Sequence, residues 1–210
     1  MEANFWREKW AKGETAFHQS EANPLLVDNM AKLELPHGSR VFVPLCGKTR
    51  DIAWLLSQGY RVCGAELVET AVVQLFDGLG LAPVITLEGA GRRYRAAEVD
   101  IVVGDLFALS ADVLGAVDAV YDRAALVALP QAMRERYAVH LIELTDAAPQ
   151  LLLTFVYDQS LMSGPPFSVS RDEVDRHYRD RYEVALIGSH EVVGGLKGQC
   201  AASEDVWLLR

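Results

Sequence analysis

The chain predicts an α/β domain of the doubly wound type: a mostly parallel, seven-stranded sheet with helices on both faces and a helical cap ahead of it. Three observations carry this prediction. From Arg40 onward, short β-branched and apolar runs alternate with segments of helical spacing, the pattern of strand–helix units feeding a parallel sheet. The runs are apolar along nearly their whole length, as strands covered on both faces are. The chain has 210 residues, half hydrophobic and 23% charged, which suits one domain with one sizeable core.

Taken in order, residues 4–12 and 24–33 read as two helices joined by 13–23, a cap of residues 1–39 preceding a core of 40–210. Such helices either cover a sheet edge or close over a site, and the pattern leaves both open. Strands are predicted at 40–45, 61–66, 100–103, 117–121 and 151–157. Between them, 51–59 clusters apolar residues at helical spacing and stops at Gly59, and 69–79 and 131–145 read as helices too. Pro83 and the glycines at 89 and 91 interrupt 81–97, which reads as a small hairpin or loop insertion. After Tyr157, the run Ser163-Gly-Pro-Pro-Phe is a rigid turn, and Ser170 caps a charged helix over 171–179. Strands at 182–189 and 205–209 close the sheet as an antiparallel pair, with Gly194, Gly195 and Gly198 making the stretch between them a mobile loop.

A net charge of −9 argues against a broad footprint for nucleic acid or anionic lipid, so a small-molecule partner is expected. Three cysteines, Cys46, Cys63 and Cys200, form no Cys-x-x-Cys pair, which points to neither a disulfide framework nor a zinc cluster. The opening run mixes charges with aromatics where an export signal needs an apolar stretch, and no run of about 18 apolar residues spans a membrane. A cytoplasmic monomer is expected.

A doubly wound sheet binds its ligand beyond the C-terminal ends of its strands, so the informative residues lie at strand exits. The first exit reads Val43-Pro-Leu-Cys-Gly-Lys. Gly47 there lets the backbone approach a bulky ligand, but the glycine-rich turn that a phosphate or pyrophosphate needs is missing. The second exit ends in Glu66, 19 positions after Gly47, where a carboxylate accepts hydrogen bonds from both ribose hydroxyls or simply complements a helix N-terminus. At the third, Asp105 and Leu106 stand where an adenine amine and ring face would lie, Asp105 serving equally as a turn cap. Together these exits describe an adenosine without a pyrophosphate, which fits S-adenosylmethionine better than a nicotinamide dinucleotide. The fourth exit places Asp122 beside Arg123, to hold the cofactor region, favour an anionic acceptor or form an ion pair. His18 suits either a base or a residue that fixes the cap, and Cys46 reads as a small buried residue of a tight turn.

Five blocks occur in one order: Trp6-Arg-Glu-Lys-Trp-Ala-Lys-Gly-Glu-Thr-Ala-Phe-His, Arg40-Val-Phe-Val-Pro-Leu-Cys-Gly-Lys, Gly64-Ala-Glu, Asp122-Arg-Ala-Ala-Leu-Val-Ala and Gly164-Pro-Pro-Phe. Across nearly its whole length, the chain resembles the thiopurine S-methyltransferase family. The resemblance implies a Rossmann-like methyltransferase fold and methyl transfer from S-adenosylmethionine to sulfur, with S-adenosylhomocysteine as product and no metal. It puts Trp10, Leu45, Glu66 and Arg123 at cofactor-binding positions, with Trp6, Asp105 and Leu106 lining the same pocket, to which the reading of the first exit adds Gly47. Phe17 falls at a substrate position, and Arg123 is the candidate catalytic residue. Similar bacterial proteins also act on selenium or tellurium compounds. The departure lies at 191–198, glycine-rich here, where animal members carry a further basic substrate-side residue. Two other readings stand beside it: a nicotinamide-dependent oxidoreductase, and a non-catalytic protein that binds a nucleoside or a chalcogen compound.

Overall fold

A computed structural model describes residues 3–13, 19–88 and 91–210. Five parallel strands form the centre of one sheet: β1 (Arg40–Pro44), β2 (Arg61–Glu66), β5 (Val99–Val103), β6 (Ala119–Asp122) and β7 (Gln150–Tyr157). The pair β8 (Val184–Glu191) and β9 (Ala202–Leu209) closes one side antiparallel, β9 lying against β7. On the other side, β3 (Val84–Glu88) and β4 (Gly91–Ala96) form an antiparallel hairpin laid against β5. The order is β3-β4-β5-β2-β1-β6-β7-β9-β8.

Among the described residues the sheet has nine strands and not seven, and it is mixed. Of the two readings of 81–97, hairpin and loop insertion, the structure shows the hairpin, which extends the sheet at the β5 edge. The stretch after β8 also differs from expectation. It is tied by Val192 N–H to the Ala202 carbonyl and Leu196 N–H to the Cys200 carbonyl, and Leu196 and Cys200 are buried with Met162 and Tyr157.

Both faces of the sheet are covered, which is why the central strands are apolar throughout. On one face, α2 (Pro24–Asn29) with the 3-10 turn Met30–Leu33, α3 (Asp51–Ser57) and α4 (Glu69–Leu79) pack Leu26, Met30, Ile52, Leu55, Val72 and Phe76 onto the sheet. On the other, α5 (Ala111–Leu114), α6 (Gln131–Leu144) and α7 (Arg171–Tyr178) contribute Leu114, Tyr137, Leu141, Val174 and Tyr178. Local chemistry sets several ends. Asn23 caps α2 through its side-chain oxygen and Pro24 occupies the first turn, Ser170 caps α7, and Gly80 ends α4 at φ 67°.

The two helices before the core separate in role. α2 belongs to the core, since Leu26, Met30 and Leu33 are buried against the sheet. α1 (Ala3–Ala11) instead sets Trp10 and Trp6 on Val68, Ala71 and Leu67 at the exit of β2.

Gly64, in the middle of β2, shows how tightly the sheet supports the first exit. A Cβ there would lie 2.8 Å from Ile101 Cδ1, 3.0 Å from Cys46 Sγ and 3.2 Å from the Val43 carbonyl oxygen. The last is backbone and cannot swing aside. Gly64→Ala is therefore expected to cost about 1–3 kcal/mol, the usual penalty of overpacking, and to lower the melting temperature by several degrees in a thermal scan.

Candidate active site

The strand order reverses at β1, whose neighbours β2 and β6 lead to opposite halves of the sheet, so a crevice opens beyond the exits of β1, β2 and β6. The β1 exit turns sharply: Leu45 has φ 47° and Gly47 φ 54°, both in the left-handed region. The turn is held from the neighbouring strand. Cys46 N–H donates to the Ala65 carbonyl at 3.1 Å, and Gly47 N–H donates to Glu66 Oε2 at 2.8 Å. The other Glu66 oxygen, Oε1, accepts from Val68 N–H at 2.8 Å. Burial pushes the Glu66 carboxyl up, opposed by the N–H groups of Val68, Gly47 and Leu67. Each oxygen accepts one backbone bond and keeps a lone pair, the acceptor pair that two ribose hydroxyls require. This chain thus presents a buried carboxylate next to a close-approach backbone, and the two fit an adenosine-type ligand.

Cys46 is 5% exposed, and burial together with the neighbouring Glu66 pushes its thiol well up, so it stays protonated and is not a nucleophile. At the β5 exit Asp105 is exposed and caps a short 3-10 turn, its Oδ1 accepting from Phe107 N–H at 3.0 Å. Leu106 is buried in the core on the α6 side, and its carbonyl meets His140 Nε2 at 2.8 Å. Over the same end of the sheet, Trp10 is buried on α1 with Lys48 Nζ 5.7 Å from its ring centroid, and Trp6 packs beside it. Trp6, Trp10, Leu45, Gly47, Glu66, Asp105 and Leu106 thus gather around the exits of β1, β2 and β5. Phe17 and His18 lie outside the described residues.

Asp122 and Arg123 part company in the structure. Successive residues of a strand point to opposite faces. Asp122 goes to the α6 side, accepting from the Tyr137 hydroxyl at 2.7 Å and Leu126 N–H at 3.1 Å, and is wholly buried. Burial raises its carboxyl to about 6, against the hydrogen bonds it accepts. It therefore does not orient Arg123.

The partner of Arg123 is Asp51, at the start of α3, with Nη1 3.3 Å from Oδ2. Asp51 is 1% exposed and also accepts from the Tyr121 hydroxyl at 3.1 Å and from Asn23 N–H at 2.8 Å. One carboxylate thus ties together α2, α3 and β6. Burial and the Asp51 charge push the Tyr121 hydroxyl well up, which keeps it a donor. In the sequence Asp51 carries only the mark of an ordinary helix start, an acid in the first turn next to the exit loop.

Beyond the end of β6, the chain at 164–168 takes the place of a strand beside β7. Val169 N–H donates to the Phe155 carbonyl at 2.8 Å, Phe167 N–H to the Val127 carbonyl at 2.6 Å, and the Ser168 hydroxyl accepts from Tyr157 N–H at 3.0 Å. Both prolines of this turn, Pro165 and Pro166, follow cis peptide bonds. The turn walls the crevice on the side away from Glu66.

This strand order, with a buried carboxylate at the β2 exit, defines a Rossmann-like fold, that of S-adenosylmethionine-dependent methyltransferases. The thiopurine S-methyltransferase family model matches residues 1–209, and the chain belongs to that family. It is 57% identical over 210 residues to the thiopurine S-methyltransferase of Xanthobacter autotrophicus, covering all of this chain and 99% of that protein. It is 51% identical over 209 residues to that of Teredinibacter turnerae, covering 100% and 97%. In fold it is similar to the magnesium protoporphyrin IX methyltransferase of Synechocystis with bound SAH, at a TM-score of 0.68, 14% identity and full coverage of both chains. The methyl donor is S-adenosylmethionine, and a nicotinamide oxidoreductase is not favoured.

Proposed function

We propose that this chain methylates the sulfur of a small thiopurine-like or aromatic thiol, and that the same crevice admits selenium and tellurium compounds, which share the soft nucleophilic character of a thiolate. The observation that carries the reading is the arrangement of Glu66 and Arg123 on opposite sides of one crevice, a carboxylate fitted to ribose facing a cation fitted to an anionic acceptor. S-adenosylmethionine supplies an electrophilic methyl group on a sulfonium.

The protein's own part is placement. Glu66 with the Gly47 backbone fixes the nucleoside, while Trp6, Trp10, Leu45, Asp105 and Leu106 enclose it. Aromatic faces on α1 favour a cationic ligand. Arg123, held by Asp51, draws the acceptor in as its anion and steadies it by charge-assisted hydrogen bonds, with Phe17 as a further acceptor contact. Holding two reactants at contact distance supplies much of the rate enhancement without a strong base. In this reading α1 caps a single catalytic domain of which α2 is part of the core, and the protein works as a cytoplasmic monomer. No helix among the described residues is long and apolar enough to cross a membrane.

The test is methyl transfer from labelled S-adenosylmethionine to a thiopurine, an aromatic thiol, selenite and tellurite, with S-adenosylhomocysteine as the common readout. Turnover of the thiols supports the reading. Binding of the donor without turnover of any of the four would sink it. Arg123→Ala is expected to lower kcat/KM for an anionic acceptor by about 10–100-fold, the worth of one or two charge-assisted hydrogen bonds, and unchanged kinetics would remove Arg123 from the site.

A further inference from the structure

Arg123 lies between two carboxylates, of which only one is committed. Asp51 is buried, ion-paired and hydrogen-bonded from three sides. The second is Glu204 on β9. Its place follows from strand geometry. Tyr121 on β6, Leu153 on β7 and Val206 on β9 all face the α2–α3 side of the sheet. In register, Tyr121 lies level with Leu151 and Leu208, so Arg123, two residues on, comes level with Leu153 and Val206, and Glu204, paired with Phe155, comes two residues further toward the exits on the same face. β6 has ended by this level, so Glu204 stands at the open end of the crevice on the Arg123 face.

The charged and titratable groups around it are Arg123 at the end of β6, Asp51 at the start of α3 and His190, its register partner on β8; β7 offers only Phe155. Glu204 is partly buried, and among the described residues its side chain makes no hydrogen bond. A carboxylate in such a place, unpaired while its neighbour Asp51 has taken the arginine, is free for a ligand.

We propose that Glu204 is the general base of the reaction, taking the proton of a thiol or selenol acceptor whose sulfur or selenium rests near Arg123. The S–H bond breaks and an O–H bond forms on Glu204. The electron pair left on sulfur becomes the bond to the methyl carbon, and the pair of the breaking carbon–sulfonium bond returns to the donor's sulfur. The Glu204 proton passes to water as product leaves. Burial, opposed by the Arg123 charge and reinforced by Asp51, raises the Glu204 carboxyl, which makes it a better proton acceptor than a solvated carboxylate. The assignment rests on the S-methyltransferase reading above and adds the residue that lets weakly acidic acceptors react.

The experiment compares the full-length protein with Glu204→Gln on two acceptors, an alkyl thiol that is protonated at neutral pH and a nitro-substituted thiophenol that is already a thiolate. Loss of the base is expected to cost about a hundredfold in kcat/KM on the alkyl thiol, with a loss at least about tenfold smaller on the thiophenol. A second readout is independent of turnover. With S-adenosylhomocysteine bound, calorimetry in two buffers of different ionisation heat should detect proton uptake when the thiophenolate binds the wild type, and none for Glu204→Gln.

Equal losses on both thiols, or proton uptake unchanged by the substitution, would overturn the assignment of Glu204 alone. Failure of the wild type on both thiols would overturn the methyltransferase reading and this assignment with it. If Glu204→Gln does not fold, Glu204→Asp carries the same test, because a carboxylate withdrawn by one methylene gives the same thiol-dependent loss.

Discussion

Glu66→Ala is expected to reduce the affinity for S-adenosylhomocysteine by about 10²–10⁴-fold while leaving the chain folded. The two oxygens of Glu66 each spend one lone pair on the exit loop, at 2.8 Å to Gly47 N–H and 2.8 Å to Val68 N–H, and offer the other to a ribose hydroxyl. Two charge-assisted hydrogen bonds are worth about 1.5–3 kcal/mol each, which sets the range in affinity. The backbone turn that Glu66 shapes loosens in addition, since Gly47 loses its acceptor. Titration calorimetry measures the affinity, and circular dichroism checks the fold. Glu66→Gln is expected to fare little better, because its amide presents a donor to either Gly47 N–H or Val68 N–H. Affinity in the wild type should also fall as pH drops through the raised Glu66 value, because the protonated carboxyl loses acceptor strength. An affinity within threefold of wild type for Glu66→Ala would remove Glu66 from the cofactor site.

Glu66 was legible in the sequence because its position follows from topology alone: the end of the second strand in a doubly wound sheet faces the ligand whatever the packing details. The central strands were legible for a related reason, since burial on both faces writes itself as unbroken apolar runs. The hairpin 84–96 carries a weaker mark. Val84, Ile85 and Leu87 are all well exposed at the sheet edge, so neither burial nor strict alternation announces them. The partners of Arg123 were not legible at all. Asp122 is adjacent in sequence but on the wrong face, while Asp51 lies 72 positions away and reaches Arg123 only once α3 has packed on β6. Glu204 needed the register of β9 against β7, which a one-residue slip would reverse. Side chains fixed by local periodicity could be read, and those fixed by the meeting of distant elements could not.

The largest expected loss of stability comes from a pair that touches no ligand. Arg134 on α6 grips Glu173 on α7 with two bonds, Nε to Oε1 at 2.6 Å and Nη2 to Oε2 at 3.0 Å, both side chains being less than 10% exposed. Its remaining nitrogen donates to the Leu129 carbonyl at 3.0 Å, and His177 meets Glu173 at 3.2 Å. Removing one partner strands the other charge in the core, which typically costs about 3–5 kcal/mol. Glu173→Ala is therefore expected to lower the unfolding free energy by that amount in urea titration. Replacing both residues with apolar ones of similar volume should cost much less, because no orphaned charge remains.

The pH dependence has a definite sign. Burial pushes the Glu173 carboxyl up, but the hydrogen bonds and charges of His177 and Arg134 outweigh it and hold it at about 2, below its unfolded value of about 4.5. The pair's contribution is present above pH 4.5 and is lost as pH falls toward 2, and Glu173→Ala should flatten that part of the stability profile. The consequence reaches the active site by one route. The Arg134 guanidinium lies 6.0 Å from the Phe167 ring centroid, at the turn that walls the acceptor side of the crevice. Loosening Arg134 should raise KM for the acceptor while leaving S-adenosylhomocysteine affinity, set on the Glu66 side, where it was. A variant that lost both affinities together would mean that the two halves of the crevice move as one body, and that the acceptor wall and the cofactor cradle are coupled through the sheet between them.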